Sequence, residues 1–208
     1  SDGGMKFDWK LDGKGARQGA LDTVSLNGMV INFDKLSRTK SSAGVFAFVL
    51  ANNPRSMDAG LNRGDANHSL FFVVDTLKGQ ISFANTAISG NKFLNNGTVL
   101  LSGDELKYEN LSGKPFSVSF SKGDNGAFNI TAGASGGVIS ADNALTAEMI
   151  SKAGNVYNTD YLFVALSSWS GSNGLSVVLR SIEKYRRTDV TYTVPSTENM
   201  LITAENLK

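Results

Sequence analysis

The stretch ANNPRSMDAGLNRGDANHS (51–69) sets amides, carboxylates, guanidinium groups and an imidazole between two apolar runs. It holds Asn52, Asn53, Arg55, Asp58, Asn62, Arg63, Asp65, Asn67 and His68. Amide, carboxylate and guanidinium groups offer paired hydrogen bonds, which is what adjacent sugar hydroxyls and ring oxygens need from a partner. Asp58, Asn62 and Asp65 are also hard oxygen donors of the kind calcium takes, and the metal expectation rests on Asp58 and Asp65. Nineteen residues without an apolar period is long for a connection in a compact domain, and such loops are usually functional or mobile. The competing reading is a solvated loop. Arg63-Gly64-Asp65 also spells an adhesive tripeptide, a short pattern that recurs by chance.

A second group stands near WSGSNG (169–174). Trp169 places a large flat ring beside a turn, and Asn173 adds an amide. Such a ring either covers the end of a core or offers an apolar face to the C–H side of a pyranose. The first role ties Trp169 to stability and the second to affinity. If the strands FAFVLANN and YLFVALSS run in the same direction, Trp169 lies at the end that carries 51–69, and the two groups form one site.

Signs of catalysis are sparse. A retaining glycosidase needs two carboxyl groups about 5–5.5 Å apart, which residues i and i+2 on one strand face supply. The glutamates Glu105, Glu109, Glu148, Glu183, Glu198 and Glu205 each lack a carboxylate two positions away, and Asp34, Asp75 and Glu183 stand singly at strand ends. Two facing carboxylates from different strands would still serve. His68 is the sole histidine, so a Ser-His-Asp relay has one candidate, set just before an apolar strand where a capping or solvent-facing role is the simpler one. Cysteine is absent, which excludes disulfides, thiol catalysis and cysteine-based zinc sites and leaves the compartment open. The segments NHS (67–69), NGT (96–98), NLS (110–112) and NIT (129–131) fit the N-glycosylation pattern, at a frequency that an Asn- and Ser-rich chain reaches by chance.

The elements that must hold these groups are strands. GMVINFDKL alternates Met29, Ile31 and Phe33 with Val30, Asn32 and Asp34; FSVSFS turns Phe116, Val118 and Phe120 inward; AFNIT does the same with Phe128 and Ile130. This period of two marks sheets with one buried and one wet face. VFAFVLA (45–51), LFFVVD (70–75) and YLFVAL (161–166) are apolar on both faces and belong in the middle of a sheet or under a covering loop. SKGDNGAF, DTLKGQISF and WSGSNGLS carry turn residues that tolerate positive φ and read as three hairpins. SADNALTAEMISKAGN (140–155) has helical spacing, with Ser140 or Asp142 as a cap and Gly154 as a stop, so one short helix is expected near 141–153. The predicted inner faces are Ile31, Phe33, Phe46, Phe48, Phe72, Ile81, Phe83, Phe116, Val118, Phe128, Ile130, Phe163, Val177 and Leu179. About nine or ten strands with one crossover helix make an all-β, two-sheet antiparallel sandwich of jelly-roll type.

A length of 208 residues suffices for such a core. The sandwich is expected over 1–185. The stretch 186–208 reads as a final strand (Val190, Tyr192, Val194) with a tail, or as the lead into a following module. SDGGMKFDWK lacks the layout of a signal peptide, and its Ser-Asp-Gly-Gly opening reads as a boundary or a trimmed mature end. A formal charge of +1 with no charge run gives no footprint for nucleic acid, and no apolar stretch approaches a membrane span.

The order FAFVLANN, a polar loop, HSLFFVVDTLKGQISFAN, FSVSFSKGDNGAFNI and YLFVALSSWSGSNGLSVVLRSI resembles the concanavalin A-like lectin/glucanase superfamily, in its bacterial legume-lectin-like or laminin-G-like modules, over roughly 25–185. The resemblance implies a glycan or polysaccharide as partner, an extracellular or cell-surface location and neighbouring domains in a larger chain. The function expected is that of a non-catalytic carbohydrate-binding module. The alternatives are a structural or adhesive sandwich and a polysaccharide-degrading enzyme. The binding residues expected are Asn52, Asn53, Arg55, Asp58, Asn62, Asp65, His68, Trp169 and Asn173, with calcium as the one candidate ion.

Overall fold

The structure is a computed structural model that describes residues 5–11, 16–22, 26–51, 69–84, 97–152, 161–168 and 174–184. For 5–11, 16–22, 49–51, 69, 71, 84, 152, 161–168 and 184 it describes the backbone pairing alone. The described residues form twelve strands: β1 Met5–Leu11, β2 Ala16–Asp22, β3 Met29–Arg38, β4 Val45–Ala51, β5 Ser69–Asp75, β6 Gln80–Ala84, β7 Thr98–Ser102, β8 Phe116–Lys122, β9 Phe128–Ala134, β10 Gly137–Leu145, β11 Tyr161–Ser168 and β12 Leu175–Lys184. They make two six-stranded sheets, β1-β12-β3-β8-β9-β10 (sheet I) and β2-β11-β4-β5-β6-β7 (sheet II). Every ladder is antiparallel. The expected all-β sandwich is thus the fold of the chain. Its strand count exceeds the expectation because Met5–Leu11 and Ala16–Asp22, not read as strands from the sequence, each take an edge of one sheet.

Alternation places the core. All the predicted inner-face residues are buried except Phe163, whose side chain lies outside the described ones. Phenylalanine rings from both sheets meet between them. Phe33 stacks on Phe116 within sheet I (centroids 5.0 Å apart), and Phe48 on Phe72 within sheet II (4.9 Å). Phe33 meets Phe46 edge-on at 5.4 Å and Phe72 meets Phe120 at 5.1 Å, which joins the sheets. The runs apolar on both faces, β4, β5 and β11, are interior strands of sheet II. Ala47 and Val73 are buried there on the face away from the core.

Two expectations need correction. Residues 141–145 belong to β10, not to a helix: Ala141 pairs with Ile130 and Leu145 with Phe128. The helix is α2, Ala147–Lys152, and its cap is Thr146, whose Oγ1 accepts from the Met149 amide at 3.2 Å. It is also not the only helix, since a 3-10 turn (Asp104–Leu106) and α1 (Tyr108–Leu111) carry the chain from β7 to β8. The second correction concerns WSGSNGLS. β11 lies in sheet II and β12 in sheet I, so 169–174 crosses between sheets and is not a hairpin. Gly174 fixes the far side of the crossing: its φ is 106°, a Cβ there would meet Thr39 Oγ1 at 2.3 Å, and its carbonyl accepts from the Thr39 amide at 2.8 Å. The other two turns are hairpins as expected, with Gly79 at φ 70° and Asn125-Gly126 at φ 50° and 78°.

Phe72→Ala is expected to cost about 3–5 kcal/mol, because it empties a ring site shared by both sheets. Val138→Ala, on a residue 62% exposed, is expected to stay within about 0.5 kcal/mol. Urea unfolding of the two variants checks both values.

Candidate functional site

Strand direction and register sort the connections between the two ends of sheet II. Tyr161 pairs with Asp22, Phe163 with Ala51, Ala51 with Ser69, Phe71 with Ala84 and Phe83 with Thr98. The chain therefore leaves or enters the sheet within a rung or two of one end after Asp22, Ala51 and Ala84 and before Ser69, Thr98 and Tyr161. Segments 23–25, 52–68, 85–96 and 153–160 all start or finish there. Neighbouring strands lie about 4.8 Å apart, so these exits span about 24 Å from β2 to β7.

Asn52, Asn53, Arg55, Asp58, Asn62, Asp65 and His68 fall in 52–68, outside the described residues, and so do Trp169 and Asn173. Their anchors are described. Ala51 and Ser69 face each other across the β4–β5 ladder, so the 52–68 segment closes back on its own starting point. Trp169 has a different anchor. β11 runs antiparallel to β4, with Phe163 opposite Ala51 and Ser168 opposite Phe46. Ser168, the residue before Trp169, is thus at the end of the sheet away from Ala51. It shares that end with the 39–44 crossing and with the Thr76–Gly79 turn, where Thr76 Oγ1 donates to the Gly44 carbonyl at 2.7 Å. The assumption of like direction for FAFVLANN and YLFVALSS is overturned: the described anchors of the two expected groups, Ala51/Ser69 and Ser168, stand at opposite ends of the β4–β11 ladder.

Two further segments have an anchor at the 51/69 end: 85–96 begins after Ala84 and 153–160 ends before Tyr161. By sequence NTAISGNKFLNN (85–96) holds Asn85, Asn91, Asn95, Asn96 and Phe93, and AGNVYNTD (153–160) holds Asn155, Tyr157, Asn158 and Asp160, all outside the described residues. Their amide content was a visible signal. Nothing in the sequence says which inter-strand segments share an end until the pairing is known.

Two of the lone carboxylates do face one cleft, on the outer side of sheet I. Asp34 (β3) and Glu183 (β12) both line it. Asp34 Oδ2 is ion-paired with Arg180, and its Oδ1 accepts from the Lys35 amide at 2.8 Å. The hydrogen bond from Arg180 holds the Asp34 carboxyl below the ordinary carboxylate value, against the opposing pull of burial, and the Lys35 amide adds to the depression. Glu183 Oε1 accepts from Ser181 Oγ at 2.9 Å and from Asn32 Nδ2 at 3.1 Å. A glycosidase needs one of its two carboxyls raised and protonated to act as the acid. Asp34 is pushed the other way, so it does not suit the acid's role. Among the described residues no three His, Asp or Glu side chains gather where a metal ion would sit. No described helix is long and apolar enough to cross a membrane.

No protein-family model matches the chain, and no curated protein matches its sequence. Among solved structures it is similar to lectin I-B4 from Griffonia simplicifolia in its metal-free form, at 16% identity over 80% of this chain and 78% of that one, TM-score 0.48. It is similar to the exoplasmic/lumenal domain of VIP36 in a form bound to calcium and Man3GlcNAc, at 13% identity over 91% and 81%, TM-score 0.47. A β-glucanase from Bacillus licheniformis follows at 10% identity over 82% and 71%, TM-score 0.38. All three are members of the concanavalin A-like superfamily. With TM-scores below 0.5, the fold of this chain stands on its own strand order and register.

The Asp34–Arg180 pair has a pH signature. Above the unfolded value near 3.9 the carboxylate is charged in both states and the contribution of the pair is fully present. As pH falls through the depressed folded value, the unfolded chain has already taken up its proton and the contribution is lost. Asp34→Asn is expected to lower stability at neutral pH by no more than about 1 kcal/mol, because Arg180 is half exposed and screened. Its gap from the parent should close on acidification below about pH 4, as followed by urea titrations. A gap that widens in acid would overturn the assignment.

Proposed function

We propose that the chain is a non-catalytic carbohydrate-binding domain whose site lies at the 51/69 end of sheet II. The observation that supports this reading is that the anchors of segments 23–25, 52–68, 85–96 and 153–160 share one end of sheet II. Loops presented together by a fixed scaffold are where binding groups concentrate. Their composition fits polyol recognition: amides and carboxylates from Asn52, Asn53, Asp58, Asn62, Asn95, Asn158 and Asp160, with Arg55 and His68 beside them. Flat apolar surface for a pyranose ring comes, in this reading, from Phe93 and Tyr157, because the anchor of Trp169 is at the other end. A secreted or surface location belongs to the same proposal, and fractionation of the source cells tests it.

Calcium is part of the proposal. Asp58 and Asp65 offer hard carboxylate oxygens within one segment whose ends are paired neighbours, a donor set that suits the ion. When bound, the ion would order the 52–68 backbone and present its amides to the sugar. Chelator is expected to lower the melting temperature and any glycan affinity together, and added calcium to restore both. A chain indifferent to chelator would remove the ion from the site.

The site itself is tested on a glycan array followed by calorimetry on the best responder. Tyr157→Ala is expected to weaken binding about tenfold or more while leaving the melting temperature within a few degrees. Trp169→Ala is expected to leave affinity unchanged. Loss of affinity in Trp169→Ala, with Tyr157→Ala neutral, would move the site to the opposite end, and a silent array would favour a structural role for the sandwich.

A further inference from the structure

Sheet I is irregular at one place. Between Ser176 and Val178, β12 advances two residues while β3 advances three, from Ser37 to Asp34; between Leu179 and Ser181, β12 advances two while β3 advances one. Two bulges on opposite strands therefore bracket the rungs Val178–Asp34 and Leu179–Phe33. On β3 the extra residue comes with Lys35 at φ 51°, a left-handed conformation that a lysine adopts only at a cost. On β12 the extra residue is Arg180. Bulges re-aim side chains, and this one turns Arg180 and Ser181 to the same outer face, where Arg180 reaches Asp34.

The result is a built polar floor. Ser181, only 2% exposed, donates to Glu183 Oε1 at 2.9 Å and accepts from Asn32 Nδ2 at 2.9 Å, and Asn32 Nδ2 also reaches Glu183 Oε1 at 3.1 Å. These groups lie in a cleft of about 630 Å³, within the usual range of small-ligand sites. Its rim is apolar on the far side, at Pro115 and the exposed Val138. Gly133 lines the cleft opposite Ser117, with which it pairs; its φ is 147°, and a Cβ there would meet the Gly137 carbonyl of the next strand at 2.2 Å, so only glycine fits. The charged lining groups are Asp34, Glu183 and Arg180, a balance that is negative by one and disfavours an anion.

We propose that this cleft on the outer face of sheet I is a second binding site, separate from the loop-bearing end, for a neutral polyhydroxylated ligand: a sugar unit of an uncharged oligosaccharide. Its hydroxyls would meet the fixed carboxylates, the Asn32 amide and the Ser117 hydroxyl, and its C–H face would lie on Val138 and Pro115. The ligand class rests on the carbohydrate reading, whereas the site rests on the bulges, the buried serine and the cleft.

The test is a titration of the isotope-labelled chain with cellohexaose, laminarihexaose and mannotriose, followed amide by amide. The expected result is a saturable shift of the amides of 32–34, 117, 133, 134, 138 and 180–183 with at least one of the three, lost in Ser117→Trp, which fills the cleft. If Ser117→Trp does not fold, Val138→Trp on the exposed rim takes its place. Shifts confined to amides bordering the other site, such as those of Asp22, Ala51, Ser69, Ala84 and Tyr161, would overturn the second site and leave the first. Shifts confined to the cleft would uphold the second site and sink the first. Silence at both places with all three sugars would overturn both, and cleft shifts that persist in the Trp variant would overturn the second.

Discussion

Phe33 from sheet I packs against Phe46, Phe48 and Phe116, and Phe72 from sheet II against Phe48, Phe83 and Phe120. Because each ring lies both beside a cross-strand neighbour and against the opposite sheet, in-sheet register and sheet-to-sheet packing are fixed by the same contacts. A slip of one residue in β4 or β5 would turn Phe48 or Phe72 to the outer face and break both at once. Fully burying an aromatic side chain is worth about 1.5–3 kcal/mol, so a layer of such rings is the largest local source of stability available to a chain without disulfides.

That layer also determines where chemistry can be placed. With inner faces closed by phenylalanine, polar function is left with the ends of the sheets and their outer faces. Antiparallel strands deliver each connection to one end or the other, and in sheet II the direction of β11 sets Tyr161 at the 51/69 end and Ser168 at the far one. The outer face of sheet I is different. Regular strands would present a flat row of short side chains there, and the paired bulges at Lys35 and Arg180 break that row into a cleft with a charged pair and a buried hydroxyl.

The inner faces were legible because a period of two admits no other reading when alternate residues are Phe, Ile and Val on one side and Ser, Asn or Thr on the other. The region 140–152 was less so. Ile139, Ala141 and Leu145 fit an edge strand with a bulge, while Leu145, Met149 and Ile150 fit a helix, and a single Thr-capped boundary at Thr146 separates the two. The segment WSGSNG failed as a hairpin for another reason: glycine and asparagine serve any reversal, and only the partner of β12, far away in β3, tells a hairpin from a crossing. The same limit applies to the candidate sites. The residue types of 52–68 suggested binding, but that its anchors share an end with those of 85–96 and 153–160 is told only by the ladders, and Arg180 gained significance only from a register shift.

The sheet order has a consequence for how the chain reaches this state. Among the described residues β1 finds its ladder with β12 and β2 with β11, so strands early in the order have their partners more than a hundred residues later. β11 and β12 also supply the neighbours that link those edge strands to β4 and β3. During synthesis the middle strands β4–β7 and β8–β10 can zip up as local meanders, but β1 and β2 stay unjoined to them until β12 and β11 insert between. Closure over such sequence distances carries a large entropic cost before any contact repays it, which places the domain among slow, milliseconds-to-seconds folders. Until then β3 and β4 each expose an unpaired edge, the surface on which a nascent β-protein is most open to mispairing.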